Sequence, residues 1–441
     1  MKTVVRPETE MKESGASWMG KIPCEWSVSK LKWYLRRIDP RNPGDKQVLS
    51  LYREYGVIPK DSRDDNHNAT SEDTSKYKYV RVGDFVVNKM KAWQGSVAVS
   101  EYDGIVSPAY YVYHFTDDSY HRRYFHYLLR SCYKEEFMRL SGGIRVGQWD
   151  LNSKDLDNVL IVIPKKEEQQ AIADYLDETC SKIDEIIAEA KASIDEYKEL
   201  KQSVITEAVL HGFEEKSVKH SSIEWIGDYN AEFGMTRIGR FCFVTKLAGF
   251  EYTNAMADSI VNEFGVPIVR AQNVKMFKFY SDKIGEFIPK DISFQLNRSS
   301  LNKKCLLITF IGAGIGDVCV FDEKERYHLA PNVAKIEIFD EYKCLLDEHY
   351  LMYYLGSEAG QGEIRRISKA SAQPSLSMET IRSINVVLPP FDVQEQIVKY
   401  LNKKMLHMDS LIAEKESLIN DLEAYKKSLI YEVVTGKRRV V

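Results

Sequence analysis

At 441 residues, 44% hydrophobic and 29% charged, the chain is long enough for several globular domains, each burying its own core. No apolar run approaches the roughly 20 residues that span a bilayer, the opening MKTVVRPETEMKE lacks the apolar centre of a secretory signal, and seven scattered cysteines without C-x-x-C spacing fit reduced thiols in a cytoplasm rather than a zinc site or disulfide framework. The net charge of −4 speaks against a nucleic-acid binder only until it is mapped: 167–209 holds 12 acids against 4 lysines, which leaves +4 for everything else.

Residues 1–163 read as a mixed α/β globule. They open with Trp18-Met19-Gly20 and Trp26-x-x-x-Lys30-Leu31, continue through strand-like runs at 47–51, 85–87 and 110–113, and close with Gln148-x-x-Leu151 before Pro164. Residues 164–212 read as one long helix, with no Gly or Pro between Pro164 and Gly212. Its apolar residues recur every seven positions, as Leu176, Ile183, Ala190, Tyr197 and Val204, beside a second row of Ala173, Cys180, Ile187, Ile194, Lys201 and Ala208. Residues 213–388 form a second globule. It opens with Trp225-Ile226-Gly227 and Arg237-Ile238, has strand-like runs at 267–270, 306–310 and 333–338, and closes with Gln373-x-x-Leu376 before Pro389. Residues 389–441 repeat the helix, with rows Leu401, Met408, Lys415, Leu422, Leu429 and Val398, Met405, Ile412, Ile419, Lys426, Val433.

The two helical segments align without a gap at an offset of 225 residues. Pro164/Pro389, Gln169/Gln394, Tyr175/Tyr400, Leu176/Leu401, Asp184/Asp409, Lys201/Lys426 and Val209/Val434 all match. Such a repeat makes the chain a pseudo-dimer of two variable globules, each followed by the same connector. The expected helix-pair interface comprises Leu176, Ile183, Ile187, Ile194 and Val204 with Leu401, Met408, Ile412, Ile419 and Leu429. Lys201 and Lys426 fall on the seam, where a lysine either fixes register or lays its stem along the edge with its amine in water. The first helix is acidic, whereas 392–441 balances 8 acids with 9 bases, so the two suit each other better than the first suits itself.

Catalytic motifs fail on inspection. Phe310-Ile311-Gly312-Ala313-Gly314 has the F-x-G-x-G form that can bind S-adenosylmethionine, but Asp317–Phe321 after it is strand-like, so no helix N-terminus would face a ligand. The three glycines 312, 314 and 316 are expected in a hairpin turn. Leu388-Pro389-Pro390-Phe391 resembles N-P-P-F, yet Leu388 has no oxygen to accept from a target amine. There is no G-x-x-x-x-G-K-[ST], no Pro-Asp nuclease signature and no H-E-x-x-H. Asp64-Asp65-Asn66-His67-Asn68 reads as a polar loop before it reads as a metal site. The chain is expected to have no active site and to hold no metal.

Base reading fits better, because Arg, Lys, Asn and Gln make bidentate contacts to purine edges and Ser or Thr can assist. The candidates in the first globule are Arg53, Asn88, Lys89, Lys91, Gln94, Arg145 and Gln148. In the second they are Arg270, Gln272, Asn273, Lys275, Thr309, Arg365, Arg366, Lys369 and Gln373. For any one of these the competing expectation is a solvated surface side chain.

The W-x-G openings, the V/L-P…Q-x-x-I entries at 162–172 and 387–397, and the ends Lys201-Gln-Ser203-Val-Ile205 and Lys426-Lys-Ser428-Leu-Ile430 resemble the type I restriction–modification specificity subunits over nearly the whole length. Copy two has Val393-Gln394 where that family usually has Glu-Gln, and copy one ends Leu210-His211-Gly212 where T-G-K is usual. The resemblance implies an α+β chain with two α/β target recognition domains in tandem, each followed by a long helix, and the two helices paired as an antiparallel coiled coil. Each domain would read half of a split, asymmetric site in double-stranded DNA. It further implies no cofactor in this chain: methylation subunits would use S-adenosylmethionine, and restriction subunits ATP and Mg. Tyr175 and Tyr400 are candidate docking points for the former, unless they pack inside the helix pair. Forty-odd helical residues span roughly 65 Å, or about 19 base pairs of straight duplex, so helix length would set the spacing of the half-sites. A fused-domain methyltransferase and a duplicated coiled-coil scaffold without a DNA role remain alternatives.

Overall fold

The two globules are built on one strand order. The computed structural model describes residues 2–44, 46–53, 55–63, 70, 73–143, 149–213, 217–368 and 375–441. In the first globule Leu35–Ile38, Tyr110–Phe115, Phe85–Asn88 and Val97–Val99 lie side by side in that order, all antiparallel. In the second, Cys242–Lys246, Val333–Ile338, Cys305–Thr309 and Val318–Phe321 repeat the arrangement. Phe85–Asn88 and Cys305–Thr309 are inner strands of their sheets and are buried at every position, which is why their sequences are continuous apolar runs rather than alternating ones. The expected strands are all present, with edges moved by a residue or two; the run at 47–51 becomes Leu49–Tyr52.

A second, two-stranded ladder leads into each long helix. Ser27–Lys30 pairs with Leu160–Ile163, and Gly234–Arg237 with Asn385–Leu388. The long helices follow as Lys166–His211 and Phe391–Val434. Between ladder and sheet each globule has a short helix, Arg122–Cys132 or Glu348–Gly356, capped at its N-terminus by the side chain of His121 or Asp347. The globules diverge between the edge strand and the buried inner strand. There the first carries the hairpin Leu49–Tyr52/Gly56–Pro59, and the second carries Val266–Val269, which runs parallel to Tyr327–Leu329 from beyond the inner strand.

The chain divides into two compact units, 1–190 with 416–441 and 191–415. This differs from the linear order of globule, helix, globule, helix, and antiparallel pairing is the reason. Each globule gathers the near half of its own helix and the far half of the other. In one unit Lys426 Nζ lies 2.6 Å from Asp184; in the other Lys201 is bonded to Asp409. These are the same two positions of the repeat with the helices exchanged. The seam lysines therefore do more than lie along an edge: each ammonium meets an aspartate across the pair. Of the residues expected at the helix pair, Leu176, Ile183, Ile187, Ile194, Leu401, Met408, Ile419 and Leu429 are buried. Val204 and Ile412 are only half-buried. At the end of the first helix Ile205 takes the fully buried place, because Ile205, Ala208, Val209 and Leu210 turn toward the core of the second globule.

Each globule is locked to the helices by repeated polar contacts. Gln169 is 1% exposed and Gln394 fully buried. Gln169 Nε2 donates to the carbonyl of Pro164 at 2.9 Å, and its Oε1 accepts from the His121 backbone at 2.7 Å. Gln394 does the same with Pro389 at 2.9 Å and Asp347 at 3.0 Å. Each glutamine thus joins the start of a long helix to the cap of a short one, satisfying groups that burial would leave costly. Tyr124 Oη donates to Val434 O at 2.9 Å, and Tyr350 Oη lies 3.2 Å from Val209 O. Val209 and Val434 are matched positions of the two helix ends.

Candidate nucleic-acid interface

In the first globule the connection between Phe85–Asn88 and Val97–Val99 gathers several candidates. A helical turn, Ala92–Gln94, ends at Gly95, whose φ of 91° is the left-handed conformation that suits glycine. Trp93 donates to Met90 O at 3.1 Å and meets Trp149 edge-on at 5.5 Å. Lys89 Nζ is 2.7 Å from Asp150, a hydrogen bond that raises its pKa and keeps it charged. Leu151 N also donates to Lys89 O, so the connection is tied to the base of the hairpin Ser141–Gly142/Asp150–Leu151. Arg145 and Gln148 belong to the link of that hairpin and lie outside the described residues. Lys91 and Arg53 are exposed and Gln94 is half-buried on this rim.

The second globule brings together a matching corner. Its hairpin link 310–317 holds the glycines as expected, Gly312 and Gly316 having φ of 100° and 91°, and a strand, Val318–Phe321, follows rather than a helix. Leu376 N donates to Phe310 O, and Ile311 bridges Ser375, so the residues after 369–374 flank this link. Lys369 and Gln373 lie outside the described residues. Lys275 is exposed, with its Nζ 3.5 Å from Asp317, whose carboxyl is pushed up chiefly by burial. Gln272 is exposed and donates to Lys283 O. Arg270 Nε is 2.7 Å from Glu286. Arg365 and Arg366 stand elsewhere, on the helix Glu358–Ser368. They pair with Glu358 and Glu363 of the same helix, and Arg366 also lies 5.3 Å over Trp225.

Three candidates are used inside the fold instead. Asn88 is 8% exposed and accepts from Met90 N, fixing the turn. Asn273, 1% exposed, accepts from Arg270 N and donates to Tyr280 O. Thr309 is fully buried in its strand. The two asparagines complete the backbone of their turns, so their base-reading chemistry is spent locally, whereas the Thr309 hydroxyl is buried without a hydrogen-bond partner among the described residues. Sequence reasoning missed a cleft of about 750 Å³ along the edge strand of the first sheet, where Arg36, Arg37 and Arg81 surround the His114–Asp84 pair. Edge-strand arginines give no sequence signal apart from charge.

No metal-binding cluster of His, Cys, Asp and Glu occurs among the described residues, and Asp64 to Asn68 lie outside them. No described helix is long and apolar enough to cross a membrane. All seven cysteines are free. Tyr175 is buried, whereas Tyr400 is 36% exposed with its ring 5.1 Å from that of Phe213.

The model of the type I restriction modification DNA specificity domain matches residues 38–196 and 261–421, the same stretch of each half. The specificity subunit of the type I restriction enzyme MjaVIII from Methanocaldococcus jannaschii is 23% identical over 431 residues, covering 95% of this chain and 94% of that one. The EcoBI specificity subunit of Escherichia coli is 22% identical over 327 residues, 73% of this chain and 66% of its own. A solved chain from work on complex assembly and conformational transition of the type I R-M system superposes with a TM-score of 0.71 at 15% identity, covering 94% of this chain and 99% of that one. The HsdS subunit from Thermoanaerobacter tengcongensis gives 0.51 at 15% identity over 94% of this chain and 98% of its own. With two copies of the domain covering well over half its length, the chain belongs to the type I restriction modification DNA specificity family.

Proposed function

We propose that this chain is the sequence-reading subunit of a type I restriction–modification assembly in the cytoplasm. Each globule reads one half of a split, asymmetric duplex site. The observation that carries this is one sheet order used twice with dissimilar inserts, the arrangement expected when two different half-sites are read from one scaffold. In the first globule Lys91, Gln94 and Arg53 form the reading rim, with Lys89 positioning it. In the second, Gln272 and Lys275 stand beside the glycine link, with Arg270 held by Glu286. Arg365 and Arg366 are better suited to phosphate than to base edges, since their own helix already holds them. The chain performs no catalysis; adenine-N6 methylation subunits and ATP-driven restriction subunits supply the chemistry. Tyr400 with Phe213 offers the former an exposed aromatic contact.

Single-molecule sequencing of modified adenines in cells with and without the gene tests this reading. The expected result is a two-part, asymmetric motif with an unspecified spacer that disappears with the gene. A continuous or palindromic motif, or a methylome independent of the gene, refutes it.

A further inference from the structure

A cleft of about 560 Å³ in the first unit is lined by Arg53, Gln94, Arg130, Lys134, Lys426 and Lys427, together with neutral side chains, and no carboxylate is among its described lining residues. Four elements supply these bases: the first insert, the short helices Arg122–Cys132 and Lys134–Leu140, and the last turns of the second long helix. Arg130 is fixed by donating to the carbonyls of Val97 and Arg53. Lys426 is fixed by Asp184. Lys134 and Lys427 are exposed and carry no ion pair among the described residues. His126 adds no charge at neutral pH, because burial pushes its imidazole down to about 3.

We infer that this cleft grips the phosphate backbone of the duplex whose bases the adjoining rim reads. Gln94 and Gly95 belong at once to the cleft wall and to the reading rim, so a strand seated in one runs on to the other. Two exposed ammonium groups held beside two anchored cations suit a polyanion of repeating charge. The matched place in the second unit is lined differently among the described residues. There the matched helix face forms a groove of about 430 Å³ lined by Glu199, Gln202, Thr206, Glu207 and Glu358. Gln202 stands where the repeat has Lys427, and Glu358 opens the short helix that Lys134 opens in the first unit. The grip is one-sided, and it rests on the DNA-reading role proposed above.

The test uses the full chain, alone and with its methylation subunits, on a 40-base-pair duplex of random sequence, with anisotropy read from 50 to 200 mM salt. Lys134→Gln with Lys427→Gln is expected to make the slope of log affinity against log salt shallower by about 1.8, for two phosphates released, a change of roughly tenfold across that range. Lys191→Gln with Lys198→Gln, on the first helix in the second unit, leaves the slope unchanged. Both pairs are exposed, and unaltered thermal unfolding verifies that each variant is folded. An unchanged slope in the first variant, with wild type binding normally, overturns the grip and leaves the reading role standing. If that variant instead loses its methylation subunits, the cleft holds an acidic protein surface and the inference fails. Wild type that binds no duplex in either form overturns the reading role itself.

Discussion

The two halves agree where they meet the helices and disagree where they meet solvent. Gln169 and Gln394 make the same bonds, Lys426–Asp184 and Lys201–Asp409 are one ion pair used twice, and Tyr124 and Tyr350 both reach the final valine of a long helix. By contrast the inserts, the reading rims and the charge beside the short helices differ. Buried contacts must be satisfied in one of few ways, so a duplicated scaffold keeps them. Exposed positions carry no such demand and are free to become a reading surface.

The strongest way to break this equivalence is to lengthen the helices together. Four residues inserted near Glu189, matched by four near Glu414, fall beside the boundary between the compact units. They are expected to lengthen the recognised spacer by about two base pairs while both half-sites stay the same. Methylome sequencing with an unaltered spacer would contradict the idea that the helices measure distance. Next in size come Gln169→Leu and Gln394→Leu, each expected to cost about 2–4 kcal/mol by stranding buried backbone groups. Clearly unequal losses in thermal unfolding would mean that the two locks are not equivalent. Lys426→Asp and Lys201→Asp should each cost about 1 kcal/mol, because the partner aspartates are largely exposed. Adding Asp184→Lys or Asp409→Lys should restore most of that, and a double mutant no better than the single one argues against a register-setting pair.

The smallest effect comes from pH. Burial lowers the pKa of His126 to about 3 and that of His328 below its usual value, one histidine in each half. Burial disfavours the charged form of both in the fold, while both take up a proton when unfolded, so their contribution is complete above about pH 6.5 and is lost as pH falls, for His126 toward 3. Between pH 7 and 5 His126 should cost on the order of 1 kcal/mol, and His126→Gln should flatten the dependence for the first half alone.

Much of the fold was legible because the long helices carry their own period and their own copy. Of the interface positions taken from the heptad rows, Val204 and Ile412 are only half-buried, and at Val204 the globule core draws the helix face round by one residue. The glycines at 312–316 were legible as a turn because the apolar runs beside them left room for nothing else. The tyrosine and glutamine locks were not legible, since a hydrogen bond between residues over a hundred positions apart has no local pattern. The same holds for Asn88, Asn273 and Thr309. Residue type announced them as base readers, and only the fold revealed that the asparagines are bonded to their own turns and that Thr309 is buried. The run at 267–270 was legible as a strand, but not its parallel pairing with Tyr327–Leu329, because that neighbour lies about sixty residues away.

The division between satisfied scaffold and free insert has an evolutionary side. The bonds named above that fasten each globule to the helices arise from the short helices, their caps and the helix ends rather than from the inserts. Genetic exchange that replaced one insert would therefore carry over a new specificity without disturbing assembly, and selection could sample recognition sites one half at a time.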